Sequence, residues 1–474
     1  MVTERERAAA PAASRIRQVQ FGCLLAALLM TLVFFLTEDR ASGVAFLLAE
    51  RYMALPSMTF FGASVCQQLP RQNRRALYAG LAMIVLFFAT QLAHQVLEAD
   101  GKQVGTFVCA YALCFPFAAA TEDETDQKGL KWMAALFLTA GLLLTVYTAL
   151  LFLNALPEYL KNYVYWDGSR LFAMGHPNIC ATLLMISMAF CAGFALQSQK
   201  CWVKIGLGAL MLPQFFALSL TNGRTTIILT CLLLGGIVFC ALRGRDWKRT
   251  LAALLAAVIV MAVAFGVSRA VYGWNQSRLI AALTEAQTAE EPMASAETQT
   301  AKEPMAPSAA QIVEEPVVLV GEQGQGTLAN DMKTLNGRTL IWKNALQKLE
   351  ENPRIKFIGT EYVDMILSRE FAFPLYHTHN SWLEALYRMG LPGLAAALAL
   401  TVLALWSAAV VLWRNADLWK SCIALLSLCL LGCAMLEPYL FVVDISYFYL
   451  DFLFLTCLGY LSQWRKDTGD SGNV

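Results

Sequence analysis

The stretch HNSWLEALYRMGLPGLAAALALTVLALWSAAVVLW, residues 379–413, opens on a polar His379-Asn380 pair and carries no charged residue after Arg388. A run of about 20 apolar residues is what crossing the ~30 Å hydrocarbon core requires, and a helix satisfies every backbone polar group within itself. The segment therefore reads as a polar loop entering a membrane span. Gly390-Leu391-Pro392-Gly393 marks the junction, where two glycines around a proline permit a bend or a close helix approach. A histidine at the first turn of such a helix faces the positive end of the backbone dipole, a setting suited to a general base. Read without chemistry, the same His-Asn pair is a helix cap before an ordinary span.

The rest of the chain has the same character. It is 57% hydrophobic and 15% charged, with a mean hydropathy of +0.51, which excludes a soluble globule. Apolar stretches of spanning length lie near 19–37, 43–66, 77–98, 102–120, 131–153 and 177–197. Six more follow near 201–220, 225–242, 251–271, 390–413, 419–439 and 442–462. The first reads as an anchor, since no small-residue cleavage site follows Leu36-Thr37-Glu38-Asp39. The expected fold is an all-α polytopic membrane protein with about twelve transmembrane helices.

Charge orients these spans. Arg15 and Arg17, Arg71, Arg74 and Arg75, Lys128 and Lys131, Lys200 and Lys204, then Arg243 and Lys248, Arg414 and Lys420, and Arg465 and Lys466 make every second connection basic. The positive-inside bias then puts both termini in the cytoplasm and the remaining loops outside. Residues 1–270 supply nine helices, 271–389 one large outward loop, and 390–474 three helices and a tail.

That loop has two parts. Glu290-Glu291-Pro292, Lys302-Glu303-Pro304 and Glu314-Glu315-Pro316 recur every 12 residues among Ala, Thr, Gln and Ser. Too little apolar surface is present to offset the entropy of ordering, so 284–327 is expected to be a disordered acidic insert. Residues 336–389 differ. Trp342, Leu346 and Leu349 fall on one helical face and Asn352-Pro353 stops the run, which predicts an amphipathic helix near the membrane surface.

All 13 cysteines lie in or beside apolar spans, so no disulfide framework is implied, and no Cys-x-x-Cys pair or metal-ligand spacing occurs among the four histidines. No metal, cofactor or nucleic-acid partner is expected. The unusual residues are arginines on the outward side: Arg170 before Gly175-His176-Pro177-Asn178, Arg224 after Thr221-Asn222-Gly223, and Arg338 after Gly337. A guanidinium offers a rigid fork of donors suited to phosphate or carboxylate. Snorkelling to lipid headgroups accounts for many arginines at span ends as well.

Taken together, these motifs resemble those of the O-antigen ligase and polymerase superfamily, enzymes that act on undecaprenyl-diphosphate-linked glycans at the outer face of the bacterial inner membrane. The ligase hallmark of His-Asn, nine residues, then Gly-x-x-Gly is matched by His379-Asn380 and Gly390 to Gly393. Arg224 after its polar Thr221-Asn222-Gly223 stretch, Gly337-Arg338 with Trp342, and Arg170 with Pro177-Asn178 are similar to the family's other motifs.

The resemblance implies that Arg224 and Arg338 grip the donor diphosphate and His379 takes a proton from an acceptor hydroxyl, with inversion at the sugar and no metal. Arg170, His176, Asn178, His377 and Asn380 are expected to line the substrate site, with Gly390 and Gly393 shaping the helix. The acceptor is a glycan, lipid or protein hydroxyl for a ligase and a second lipid-linked glycan for a polymerase. A transporter using Glu437, Asp444 and Asp451 as proton-coupled carboxylates is the reading from another class.

Overall fold

A computed structural model describes residues 124–157, 161, 164–167, 170–173, 177–244, 246–294, 338–360, 377–414, 417–441 and 448–461. The four spans expected before residue 124 and most of the acidic insert lie outside these residues. The described chain forms ten helices and one hairpin. In order they are α1 (Glu124–Phe152), β1 (Val164–Asp167), β2 (Arg170–Ala173), α2 (Pro177–Gln197), α3 (Cys201–Leu220) and α4 (Arg224–Leu242). Then come α5 (Trp247–Ala294), α6 (Arg338–Glu351), α7 (Pro353–Ile358), α8 (Ser381–Trp413), α9 (Leu418–Ala434) and α10 (Phe448–Leu461).

Among the described residues, five helices are long and apolar enough to cross a membrane: Met133–Phe152 of α1, all of α2, α3 and α4, and Trp247–Ala281 of α5. α8 adds a sixth if its two bent halves count as one span. The centre of the bundle is α2, which holds no charged residue and is buried from Ile179 to Gly193. A helix apolar on every side belongs in the interior, and α1, α3, α4 and α9 all pack against it. α5 is the opposite case, with Leu251, Leu254, Leu255, Val258 and Ile259 all exposed, as a lipid-facing surface would be.

Small residues set how closely the helices approach. A side-chain carbon at Gly236 of α4 would sit 2.8 Å from Leu425 of α9, and one at Gly432 of α9 would sit 2.7 Å from Leu229 of α4. Each helix thus presents a leucine to the other's glycine, a reciprocal fit that lets the backbones close up. At the C-terminal end of α2, Gly193 receives the ring of Trp419, which also stacks on Phe194 at 5.4 Å.

Several expectations need correction. The fold is not purely helical: β1 and β2 pair antiparallel from Val164↔Ala173 to Asp167↔Arg170. The β-branched and aromatic residues of Val164-Tyr165-Trp166 and Leu171-Phe172 favour strands, and the register alternates buried Val164 and Leu171 with half-exposed Tyr165 and Phe172. α5 does not end near 271 but runs through Ala294, into the stretch expected to be disordered. At about 1.5 Å per residue its 48 residues reach roughly 72 Å, more than twice a bilayer core, so one end stands clear of any membrane. There Arg278 lies over the ring of Phe152 at 3.8 Å, with Trp274 stacked on that ring at 5.7 Å, and this ties the extension to the end of α1.

The buried face of α6 is Ile341, Ala345 and Leu349, while Leu346 is 52% exposed. The face is turned by one position from the expected one because α6 packs on the first half of α8, through Leu386 and Tyr387, rather than on lipid. Span ten is likewise not a simple helix from 390 to 413. α8 begins at Ser381, adopts a non-helical φ of 66° at Gly390, and its halves Ser381–Ala395 and Ala397–Trp413 meet at 64°. A residue with a side chain resists that φ, and Pro392 removes a further helix hydrogen bond, so the sequence dictates the break. Gly359 is the second obligatory glycine: its φ is 83° and an added carbon would lie 2.3 Å from the Arg388 carbonyl oxygen.

Candidate active site

The starts of α2 and α4 and the ends of α3 and α9 meet at one end of the bundle, where α6 and the start of α8 cover them. Between them lies a cleft of about 270 Å³ lined by Arg170, Asn178, Arg224, Arg338, His379 and Glu437. Two helix N-termini bring partial positive charge there, α4 starting at Arg224 itself and α2 at Pro177. With three guanidinium groups facing one carboxylate, the cleft is an anion site in its electrostatics.

Backbone geometry at the cleft is tightly constrained. Among the described residues, four that are not glycine hold a positive φ, and two of these, Asn222 at 50° and His379 at 53°, line the cleft. Asparagine tolerates this conformation; histidine does so at a cost of about 1–3 kcal/mol that the surroundings must offset. They do so by fixing both neighbours. The Thr378 amide donates to Glu384 Oε2 at 2.8 Å, its hydroxyl donates to the same oxygen at 2.9 Å, and the Trp342 indole donates to its carbonyl at 3.0 Å. Glu384 is wholly buried, and Arg388 supplies its counter-charge at 2.7 Å.

On the other side, Asn380 caps α8 by accepting the Leu383 amide at 2.9 Å and donates to the Met435 carbonyl at 3.0 Å. His379 therefore precedes the cap rather than occupying the first helical turn, and it is held by the loop, not by the helix. Asn380, expected among the substrate-binding residues, has its side chain engaged in scaffolding at both ends. His377 packs edge-on against His379 with ring centroids 4.2 Å apart and is not one of the residues that line the cleft. His176 lies outside the described residues.

The residue missing from the expected site is Glu437. Its carboxyl is 7% exposed, and through Oε1 it ion-pairs with Arg338 and accepts the Asn178 amide at 2.7 Å. Oε2 lies 3.2 Å from His379 Nδ1. The transporter reading had placed Glu437 among proton-coupled carboxylates, and the structure gives it this network instead. Asp451, also on that list, accepts the Phe441 amide at 2.8 Å as a buried structural group. Nothing local in Cys433-Ala434-Met435-Leu436-Glu437 signals the link, which joins positions 58 and 99 residues apart to this one.

Arg170 reaches the cleft from β2 and donates to the Thr221 carbonyl at 3.2 Å, while Arg269 of α5 donates to Asn222 Oδ1 at 3.2 Å, so the turn before Arg224 is held from two sides. His377, His379 and Glu437 carry donor atoms within 4.8 Å of one another, the group among the described residues that could gather around one cation. Glu437, however, is already neutralised by Arg338. Guanidinium groups suit an oxyanion and an imidazole can accept a proton, so the cleft holds the kinds of group that transfer from a phosphorylated leaving group calls for.

A comparison with curated proteins gives no match. Residues 207–398 match the family described as O-Antigen ligase, a stretch that includes Arg224, Arg338 and His379. Over that stretch the chain is similar to the O-antigen ligase family.

Proposed function

We propose that this protein is a ligase that transfers a glycan from an undecaprenyl-diphosphate carrier to an acceptor hydroxyl at the outer face of the bacterial plasma membrane. The observation that carries the reading is the convergence of Arg224, Arg338 and His379, from three separate elements, on one cleft. Diphosphate is a good leaving group, so the demands on the protein are to hold it and to prepare the acceptor. Arg224 and Arg338 donate charge-assisted hydrogen bonds to the phosphate oxygens and stabilise the negative charge released on bond cleavage. His379 removes the acceptor proton as the acceptor oxygen attacks the anomeric carbon from the side opposite the diphosphate, which inverts that centre. The guanidinium groups supply the positive charge that a metal ion provides elsewhere, so the reading routes no step through a metal.

Purified protein in vesicles with a lipid-diphosphate-linked glycan tests this. Release of lipid diphosphate is expected to require a separate hydroxyl acceptor, with an inverted linkage in the product. Products in which two carrier-linked glycans are joined identify a polymerase instead, and an untouched donor in the presence of every acceptor class ends the transferase reading.

A further inference from the structure

We infer that Glu437 is the positioning residue of this site: it fixes the His379 imidazole with its proton on Nδ1, and it holds Arg338 in place until the donor diphosphate takes over. The inference rests on the reading of His379 as the base. A buried carboxylate accepts hydrogen bonds and donates none, so the contact between Oε2 and Nδ1 at 3.2 Å requires the proton to sit on Nδ1. Nε2 is then left as the acceptor. During transfer the acceptor hydroxyl proton passes to Nε2, the new glycosidic bond forms, and the old bond's electron pair leaves with the diphosphate. The imidazolium so formed has a carboxylate against its Nδ1–H.

The other carboxyl oxygen plays a second part. Oε1 pairs with Arg338 and accepts from Asn178, so the carboxylate occupies a guanidinium that suits an anionic ligand. Donor diphosphate has to compete with it for that guanidinium. Glu437 is not needed to dock its own loop, because that loop is stitched to the start of α8 through main-chain atoms. The Ser381 hydroxyl donates to the Glu437 carbonyl at 2.9 Å and accepts the Leu440 amide at 3.0 Å, and Asn380 donates to the Met435 carbonyl.

These two parts give a signature that loss of structure does not. Glu437→Gln is expected to lower kcat by roughly 10²- to 10⁴-fold, the range for a histidine that loses its orienting carboxylate, while donor binding is unchanged or tighter because the competitor for Arg338 has lost its charge. In a His379→Ala background the same substitution is expected to cost no more than a few-fold further, since the group it positions is gone. Steady-state kinetics and binding of a lipid-diphosphate glycan to wild type, both single variants and the double variant supply every value needed. Weakened donor binding in Glu437→Gln, an unchanged kcat, or full multiplicative loss in the double variant overturns the inference. An unimpaired His379→Ala enzyme instead removes the base reading beneath it. If Glu437→Gln does not insert and fold, Glu437→Asp decides: its shorter side chain keeps the charge but cannot reach both partners, so kcat falls with donor binding retained, and failure of that variant to fold as well makes the carboxylate a structural group.

Discussion

His379→Ala is expected to lower the rate of the proposed glycan transfer by roughly 10²- to 10⁴-fold, the usual worth of a general base, and to leave the donor bound. Donor affinity is expected to survive because the arginines proposed to meet the diphosphate are anchored independently of the imidazole, Arg224 at the start of α4 and Arg338 at the start of α6. The fold survives too, because the segment is fastened at Thr378 and Asn380 rather than at His379, and alanine removes a half-exposed side chain only. His377→Ala serves as the comparison. Its ring packs against His379 without lining the cleft, so the expected loss is smaller. Transfer rate and donor binding measured side by side decide the matter, and normal turnover by His379→Ala moves the base elsewhere.

Replacing the arginines produces a loss of comparable size by a different route. Removing one preorganised donor to a developing anion costs about 10²- to 10³-fold in rate, so Arg224→Ala and Arg338→Ala are each expected to fall at least that far in kcat/KM. The two are not equivalent for stability. Arg338 is 13% exposed and neutralises a carboxylate that is 7% exposed, so deleting it leaves Glu437 without its main counter-charge in a buried site. Breaking a buried pair from one side costs about 3–5 kcal/mol, so Arg338→Ala is expected to show a lower melting temperature as well as lower activity. Arg338→Lys restores the charge but not the fork, and it separates the two effects: stability returns while transfer remains poor. Normal transfer by both alanine variants, in membranes containing equal amounts of protein, ends the diphosphate-clamp reading.

Hydropathy carried the described helices well, because lipid imposes one simple rule on every residue facing it. α2 and α3 begin and end where the apolar stretches do. Legibility failed where tertiary packing replaced that rule. α6 buries Ala345 rather than Leu346 because its partner is another helix, and no local pattern says which side that partner occupies. The candidate site divided along the same line. Arg224, Arg338 and His379 stand out because charge and imidazole at span ends are costly without a purpose, whereas Glu437 looks like any acidic residue after a helix until the fold carries it to Arg338 and His379. His379 does not stand in the first helical turn that the sequence suggests, since a loop pinned by Glu384 and Trp342 holds it.

The reciprocal leucine-to-glycine fit between α4 and α9 joins a helix encoded before the acidic repeats to one encoded after them. α2 packs on α9 as well, and Asn178 reaches Glu437 across the same divide. The two flanks thus hold each other by their own surfaces, and peptide continuity between Ala294 and Arg338 is not what keeps the cleft together. A single proteolytic cut within 295–337 is therefore expected to yield two fragments that separate on a denaturing gel yet travel as one particle in mild detergent and still transfer glycan. The acidic stretch is then the place where a tag, a label or a fused domain can be added to the enzyme without disturbing its chemistry.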